Sequence, residues 1–488
     1  MTRINTNVSA MIARNNLDRT NANLNTSLER LSTGLRINRG ADNPAGLIVS
    51  ERLRTEIQGI GQAVDNIERA SNVIATTEAA LTEINNLLVS IKSLTVEAAN
   101  TGAFSPEEIE ANQLQIDSAV ESITRISNTA SFAGLKLLNG SLDYLISGQP
   151  TSAITDVSVK GANFGLNEFI PVTVEVINSA ETAELFISGN TAGSPGAFLS
   201  SVSFEVQGPK GVQDFSFVSG TSLSAVVAAV NAISDATGVT AALVSATDQT
   251  SGLTFSSEGF GSDQFVSVRK LDGGDFFESF DEQGGNQVNR DEGEDVLALV
   301  NGNLALGDGL DIAINTAALN VEMTLTEAAA TTNTGTEYSY SITGGGALYQ
   351  IGGQINTQQQ VGFGVQSVAA TRLGNSTTGF LSTITAGGDN SLIAGQARQA
   401  GDIIDASIDQ ISTLRGRIGA FERNTLQTTL RSQQIALENL TASESAIRDT
   451  DFAEETSNLT RQQILQQAGT STLAIANTSA QSVLSLLG

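Results

Sequence analysis

The chain contains no cysteine, no histidine and no tryptophan, and aromatic residues make up only 5% of its 488 positions. Without cysteine there is no disulfide framework, no thiolate nucleophile and no cysteine-ligated metal. Without histidine there is neither a Ser–His–Asp triad nor an HExxH zinc site. Carbohydrate-binding surfaces that stack sugars on aromatic rings have little to draw on, since four tyrosines are the only aromatics besides phenylalanine. Proline is scarce as well: six occur, the last at Pro209. No run approaches the 18 apolar residues of a membrane span. The first residues, Met1-Thr2-Arg3-Ile4-Asn5, lack the apolar core and small-residue cleavage site of a secretory signal peptide. Basic residues are in deficit, 25 against 52 acidic ones for a net charge of −27. That balance disfavours nucleic acid and anionic membrane surfaces, which attract positive patches.

What the chain does contain is unevenly distributed. At about 100–200 residues per domain its length allows roughly three to five domains. Between 151 and 349 lie 25 acidic and only 5 basic side chains (Lys160, Lys210, Arg269, Lys270 and Arg290), a net of −20. The two ends together carry −7. The same middle region holds 13 of the 19 phenylalanines. Two kinds of protein share one chain.

The ends have the pattern of long helices. Leu53, Ile60, Ile67, Ile74, Leu81 and Leu88 recur every seven residues, a sustained heptad seam. A second row, Ile57 and Val64, fails at Ser71 and Glu78, after which Ile84 and Ile91 take over. Pro44 suits a first helical turn, and with no further proline before Pro106 the segment predicts a helix of about 55 residues, some 80 Å long. Ser105-Pro106-Glu107-Glu108 predicts a capping box at the start of the next helix, and Phe132-Ala133-Gly134 with Asn139-Gly140 a short hairpin. Toward the other end, Ile404, Ile411 and Ile418 form a further seam, followed by Leu426, Leu430, Leu437, Leu440 and Ile447. Gly416 and Gly419 interrupt it. Residues 1–40 carry a leucine stripe (Leu17, Leu24, Leu28, Leu31, Leu35) spoiled by Asn21. Five leucines cannot offset the ordering of some 35 residues at about 1–2 kcal/mol each, so this arm requires something to cover it. The middle alternates with period two at Val172–Val176, Val202–Val206 and Phe265–Val268, with one helix expected near Leu223–Ile233. The fold class is therefore α + β: a long antiparallel helical bundle or coiled coil built from both ends, around a mostly β central insert.

Candidate chemistry is sparse. The run Asp272, Asp275, Glu278, Asp281, Glu282, Asp291, Glu292, Glu294 and Asp295 is either a calcium site or a solvated acidic loop. Its spacing fits no EF-hand. Gly344-Gly345-Gly346 and Gly362-Phe363-Gly364 match no phosphate-binding fingerprint and suit turns and tight packing. Carboxylate pairs of the glycosidase kind are not distinguishable by spacing. No cofactor, metal or catalytic residue is expected.

The motifs at the ends are specific. Ile4-Asn5-Thr6-Asn7-Val8-Ser9-Ala10, Leu28-Glu29-Arg30-Leu31-Ser32-Thr33-Gly34-Leu35-Arg36-Ile37-Asn38 and Ala41-Asp42-Asn43-Pro44-Ala45-Gly46 closely resemble bacterial flagellin. So do Arg461-Gln462-Gln463-Ile464-Leu465-Gln466-Gln467-Ala468-Gly469-Thr470-Ser471 and the closing Gln481-Ser482-Val483-Leu484-Ser485-Leu486-Leu487. The resemblance spans roughly 1–145 and 350–488. In the middle it is one of type, through the Leu223–Val239 strand–helix–strand stretch.

The resemblance implies a filament subunit, exported unfolded through a type III pathway without a cleaved signal, and extracellular. It implies five segments: 1–45, an inner-core helix; 46–150, long helices and a hairpin; 151–349, a variable surface-exposed region; 350–447, the returning helices; and 448–488, the second inner-core helix. Leu17, Leu24, Leu28, Leu31, Leu35, Leu459, Ile464, Leu465, Leu484 and Leu487 would carry the inner coiled coil. Leu53, Ile60, Ile67, Ile74, Leu81, Leu88, Ile404, Ile411 and Ile418 would hold the bundle. Arg30, Arg36 and Arg39 are candidates for intersubunit pairs with Asp449 and Asp451. Implied partners are further copies of the chain, an export chaperone on Phe452–Leu487, and the filament cap and hook–filament junction proteins. An innate immune receptor reads the long helix of many flagellins. The family pattern has Arg where this chain has Ser90 and Gln where it has Glu97, while Leu94 is retained, so weak or absent recognition is expected. With no histidine, the HExxH metallopeptidase insert of some flagellins is excluded. A hook–filament junction adaptor is the alternative within the same architecture, and a secreted carbohydrate-binding or enzymatic protein the alternative outside it.

Overall fold

The computed structural model describes residues 6–100, 102–165, 167–188, 196–245, 251–273, 277–316, 318–332, 335–375 and 378–484, with side-chain surroundings as far as 478. The chain divides into two compact units, one of 1–74, 349–359 and 419–488, the other of 75–348 and 360–418.

The first unit is helical. Helix α1 (Val8–Thr33) starts at Asn7, whose side-chain oxygen accepts from Ala10 N at 3.0 Å. It ends at Gly34 in the left-handed region (φ 74°), whose N–H returns to Arg30 O at 2.8 Å. This is the αL cap glycine permits at little cost. A short link then leads to α2 (Pro44–Ala98), of which 44–74 belong to this unit. Pro44 occupies the first helical position, as expected, and Asn43 Oδ1 accepts from Gly46 N at 2.9 Å. Helix α8 (Gln427–Arg448) and helix α9 (Phe452–Leu484) supply the return. The two links are tied together: Leu35 bridges Asp449, Thr450 N donates to Gly34 O (2.9 Å) and Arg36 N to Arg448 O (2.7 Å). Arg448 also pairs with Glu51 of α2 at 2.9 Å.

Gly416 and Gly419 do not break the helix preceding α8. What interrupts it is a π-helical turn over Phe421–Leu426. The seam explains the turn. Ile418 and Leu426 are buried but eight residues apart, one more than a heptad. A π turn accommodates one extra residue, so the apolar face is restored. On α2, Ser71, where the second apolar row fails, donates to Glu422 in that turn at 2.7 Å. The break in the sequence pattern is a polar contact rather than a defect.

The second unit contains the remaining helices and all of the large sheets. Residues 75–98 of α2 run antiparallel to α7 (Ala397–Ala420), with Glu78 beside Arg415 and Lys92 beside Asp405. Leu81, Ile84, Leu88 and Ile91 are fully buried, as are Ile403, Ile404 and Ile411. Helix α3 (Pro106–Thr129) opens with the predicted capping box: Ser105 Oγ accepts from Glu108 N, and Ser105 N donates to Glu108. Ser131–Phe132 and Leu135–Lys136 form the predicted hairpin around Ala133 and Gly134, both at positive φ, as a two-residue turn demands.

The predicted central strands are present as Ile170–Asn178, Val202–Gln207 and Phe265–Gly273. The predicted helix is α4 (Leu223–Asn231); two shorter ones, α5 (Ser234–Thr237) and α6 (Glu327–Thr331), are additional. Four or five residues carry too little periodicity to be read as helices. One antiparallel sheet has eight strands, in the order Tyr144–Ser147, Glu337–Gly345, Ile170–Asn178, Leu297–Val300, Asn303–Asp308, Asp311–Asn315, Leu319–Leu325, Ile154–Ala162. Alternate residues Val172, Val174, Val176, Ala298, Val300 and Ala305 point into its core. Two four-stranded sheets and α4 enclose a second core, where Phe204 stacks on Phe277 (4.7 Å between centroids) and Phe215 (5.6 Å). Six of the thirteen phenylalanines of the middle region, Phe198, Phe204, Phe215, Phe217, Phe255 and Phe277, line this core.

Candidate assembly surface: the paired terminal helices

Helices α1 and α9 run antiparallel, joined by contacts whose partners step in opposite directions along the chain. Asn7 Nδ2 donates to Ala476 O (2.8 Å), Gln466 Nε2 to Asn21 Oδ1 (2.8 Å), and Arg30 lies 3.7 Å from Glu455. Asn21 thus has a partner. A polar residue in an otherwise apolar seam costs stability but fixes register. Gly469 serves the same approach: a Cβ there would lie 3.2 Å from Leu17 Cδ1.

The expected coil residues fall into three groups. Leu17, Leu24, Leu31, Leu35 and Leu459 are half-buried. Leu28, Ile464 and Leu465 are exposed, Ile464 to 63%. Leu484 ends α9 with its side chain outside the described residues, and Leu487 lies outside them altogether. Met11, Ile12 and Ile475 add further exposed apolar area. Two helices cover only one side of each other, so a pair with apolar residues on several faces is left partly bare. Of the bundle residues, Ile60, Ile67, Ile74, Leu81, Leu88, Ile404, Ile411 and Ile418 are buried and Leu53 is half-buried.

The arginines proposed for intersubunit pairing are engaged within the chain. Arg30 faces Glu455, Arg39 makes a bidentate pair with Glu29 (2.8 Å), and Arg36 donates to the carbonyls of Ala446 and Ile447, the last turn of α8. Asp449 accepts from Ser445, and Asp451 caps α9 through Ala453 N and Glu454 N. Each of these side chains thus has a partner within its own chain, while Arg30 Nε makes no hydrogen bond among the described residues. Asp42 ties the link to itself: its carboxylate accepts from Arg39 N and Asn38 N, and those two bonds hold it below the usual carboxylate range. Reading the sequence alone missed Asn7, Gln466, Gly469 and Glu455; the Arg461–Ser471 motif was the available signal, since it holds two of them.

Among the described residues no three carboxylates are grouped to hold a metal ion. In the acidic run, Asp281 closes its own turn by accepting from Glu282 N and Asn286 N, Asp291 accepts from Glu184 N, and Asp295 from Ser262 and Gly309. Asp275 lies outside the described residues. The glycine clusters pack against one ring: a Cβ on Gly346 would lie 2.5 Å from the Tyr144 ring, and one on Gly364 2.8 Å. Beside that ring, burial pushes the Asp143 carboxyl up and the Arg417 guanidinium down. No described helix is long and apolar enough to cross a membrane.

Comparison with known proteins identifies the family. The family model of the bacterial flagellin N-terminal helical region matches residues 4–143, that of the C-terminal helical region residues 402–487, and that of the flagellin hook IN motif residues 201–259. The chain belongs to the bacterial flagellin family. Flagellin of Salmonella rubislaw is 28% identical over 523 residues, and flagellin of Escherichia coli K12 and B-type flagellin of Pseudomonas aeruginosa are each 29% identical; every alignment covers 99% of both chains. Among solved structures, the D1-D2-D3 domains of the flagellar cap protein FliD from Escherichia coli superpose with a TM-score of 0.30 at 16% identity, covering 48% of this chain and 64% of that one, too distant to bear on this fold. As a flagellin, the chain is the structural subunit of the flagellar filament, polymerises with itself, is extracellular and is not an enzyme. The IN-motif match spans the predicted strand–helix–strand stretch around α4.

Proposed function

We propose that α1 and α9 form the inner contact layer of this filament, that the helices of 46–150 and 350–447 form the layer around it, and that 151–349 faces solvent. The carrying observation is the apolar area left on the antiparallel α1–α9 pair: Met11, Ile12, Ile464 and Ile475 are each more than half exposed. The coil residues from Leu17 to Leu487 and the seam residues from Leu53 to Ile418 keep the roles assigned them from sequence. The net −20 of the middle supports an outer position, where water and salt screen it. Electron microscopy after seeding tests the layering. The full chain grows long filaments, and a form lacking 1–40 and 448–488 stays soluble and folded without them. Filaments from the truncated form place the assembly contacts elsewhere.

The partners follow from the same surface. An uncovered α9 suits a chaperone that shields Phe452–Leu487 before export in unfolded form, and the finished ends meet the cap and hook–filament junction proteins. Ser90 and Glu97 are exposed on α2, where the family pattern has Arg and Gln, so the innate receptor recognises this chain weakly or not at all. A reporter-cell response equal to that of an enteric flagellin removes this reading.

A further inference from the structure

We infer that the outward face of the eight-stranded sheet is a lateral contact between neighbouring copies of this chain in the filament. On that face, opposite the buried Ala298, Val300 and Ala305, lie Leu304 (65% exposed) and Leu306 (80% exposed), flanked by the half-exposed Leu297 and Leu299. Leu299 is paired directly with Leu304, so the leucines form one patch across two strands. In the other direction Leu299 is paired with Glu175. Six positions before Glu175 lies Phe169 (52% exposed), about 20 Å along the strand. Phe169 precedes Ile170, which pairs through Ile342 to Ile146 on the edge strand, and next to Ile146 is Leu145 (62% exposed). Leu145 lies opposite the buried Tyr144 on its strand, and Phe169 is exposed one residue before the strand Ile170–Asn178 begins. One sheet face thus carries two separate apolar patches inside a strongly acidic region.

Three features select a second copy as the occupant. A polar helical polymer joins subunits through heterologous contacts, which require two different surfaces on each subunit, and this face supplies two. The patches amount to a few hundred Å² each, below the roughly 800 Å² per partner of a stable free complex. They are therefore too small to dimerise monomers, yet sufficient once assembly holds copies at a fixed spacing and a high effective concentration. The strands around the leucines carry Glu175, Asp308, Asp311 and Glu337, and Lys160, the basic residue of the sheet, is already paired with Glu322, so contact between copies falls to the uncharged patches. In the filament, the Leu304–Leu306 patch of one copy packs on the Leu145–Phe169 patch of its neighbour. This rests on the outward placement of 151–349 proposed above, to which Leu145 is joined because its strand Tyr144–Ser147 pairs with Glu337–Gly345.

The absence of cysteine makes the test clean. Leu306→Cys and Phe169→Cys are made as separate single variants, mixed, copolymerised and treated with a short bismaleimide. A mixed interchain dimer in filaments is expected, but none in the unpolymerised mixture and none when Gln213→Cys, on another sheet, replaces Phe169→Cys. The thiol of Leu306→Cys should also lose about tenfold in alkylation rate on polymerisation. Filaments with no mixed dimer and an unchanged rate overturn the inference. Should the variants not polymerise, hydrogen exchange on unaltered filaments decides: slowed exchange at 303–308 and 143–147 relative to monomer supports the contact, and equal exchange overturns it. Failure of the unaltered chain to form filaments strikes the layering instead.

Discussion

Single residues here act mainly by what they allow to approach. Gly346, Gly362 and Gly364 lie against Tyr144, where any side chain would collide with the ring or its hydroxyl. The glycine clusters were legible in the sequence as tight packing, but their common target was not, because Tyr144 is some 200 residues away. Tyr340 is the opposite case. Its hydroxyl is buried in the sheet core without a hydrogen-bond partner among the described residues, and burial pushes its ionisation well above the usual tyrosine range. A buried hydroxyl left unpaired is a desolvation cost with no return. Tyr340→Phe is therefore expected to raise stability by about 1 kcal/mol, read as a higher denaturant midpoint with unchanged slope. A loss of stability would show that the hydroxyl is satisfied.

At the scale of elements, the helical ends were legible and the central sheets only in part. Heptads such as Leu53–Leu88 and Ile404–Ile418 are long, local signals, and the capping box at Ser105 marks a boundary on its own. The eight-stranded sheet depends instead on pairing between distant segments, such as Val172 with Tyr340, which period-two alternation cannot specify. The helix break followed neither of the glycines seen in the sequence. It followed the eight-residue step from Ile418 to Leu426, because the need to bury one face outweighs the modest cost of glycine in a helix, about 1 kcal/mol. Asn21, which breaks the leucine stripe of α1, is the partner of Gln466. Asn21→Leu is expected to stabilise the α1–α9 pair by about 1 kcal/mol in thermal denaturation while loosening its register. Paired spin labels on the two helices should then report a broader distance distribution. A sharper or unchanged distribution removes the register role.

At the scale of the molecule, the proposed layering sets charge, which opposes assembly, against apolar area. Each added subunit brings a net −27 close to its neighbours. The Debye length falls from about 10 Å at 0.1 M salt to about 3 Å at 1 M, so screening weakens the repulsion while apolar contacts persist. Seeded growth is therefore expected to quicken as sodium chloride rises from low to moderate concentration. Growth that slows would mean that ion pairs between copies, rather than apolar surface, carry the contact.

The antiparallel α1–α9 pair also governs timing. Asn7 is bonded to Ala476, 469 positions along the chain. A ribosome makes the first of these long before the second. During synthesis α1 has no α9 to lie against, and every intervening strand and helix emerges first. On the proposed layering, the pair is a completion check written into the topology: a chain terminated before α9 lacks half of the inner contact layer and is not expected to enter a growing polymer.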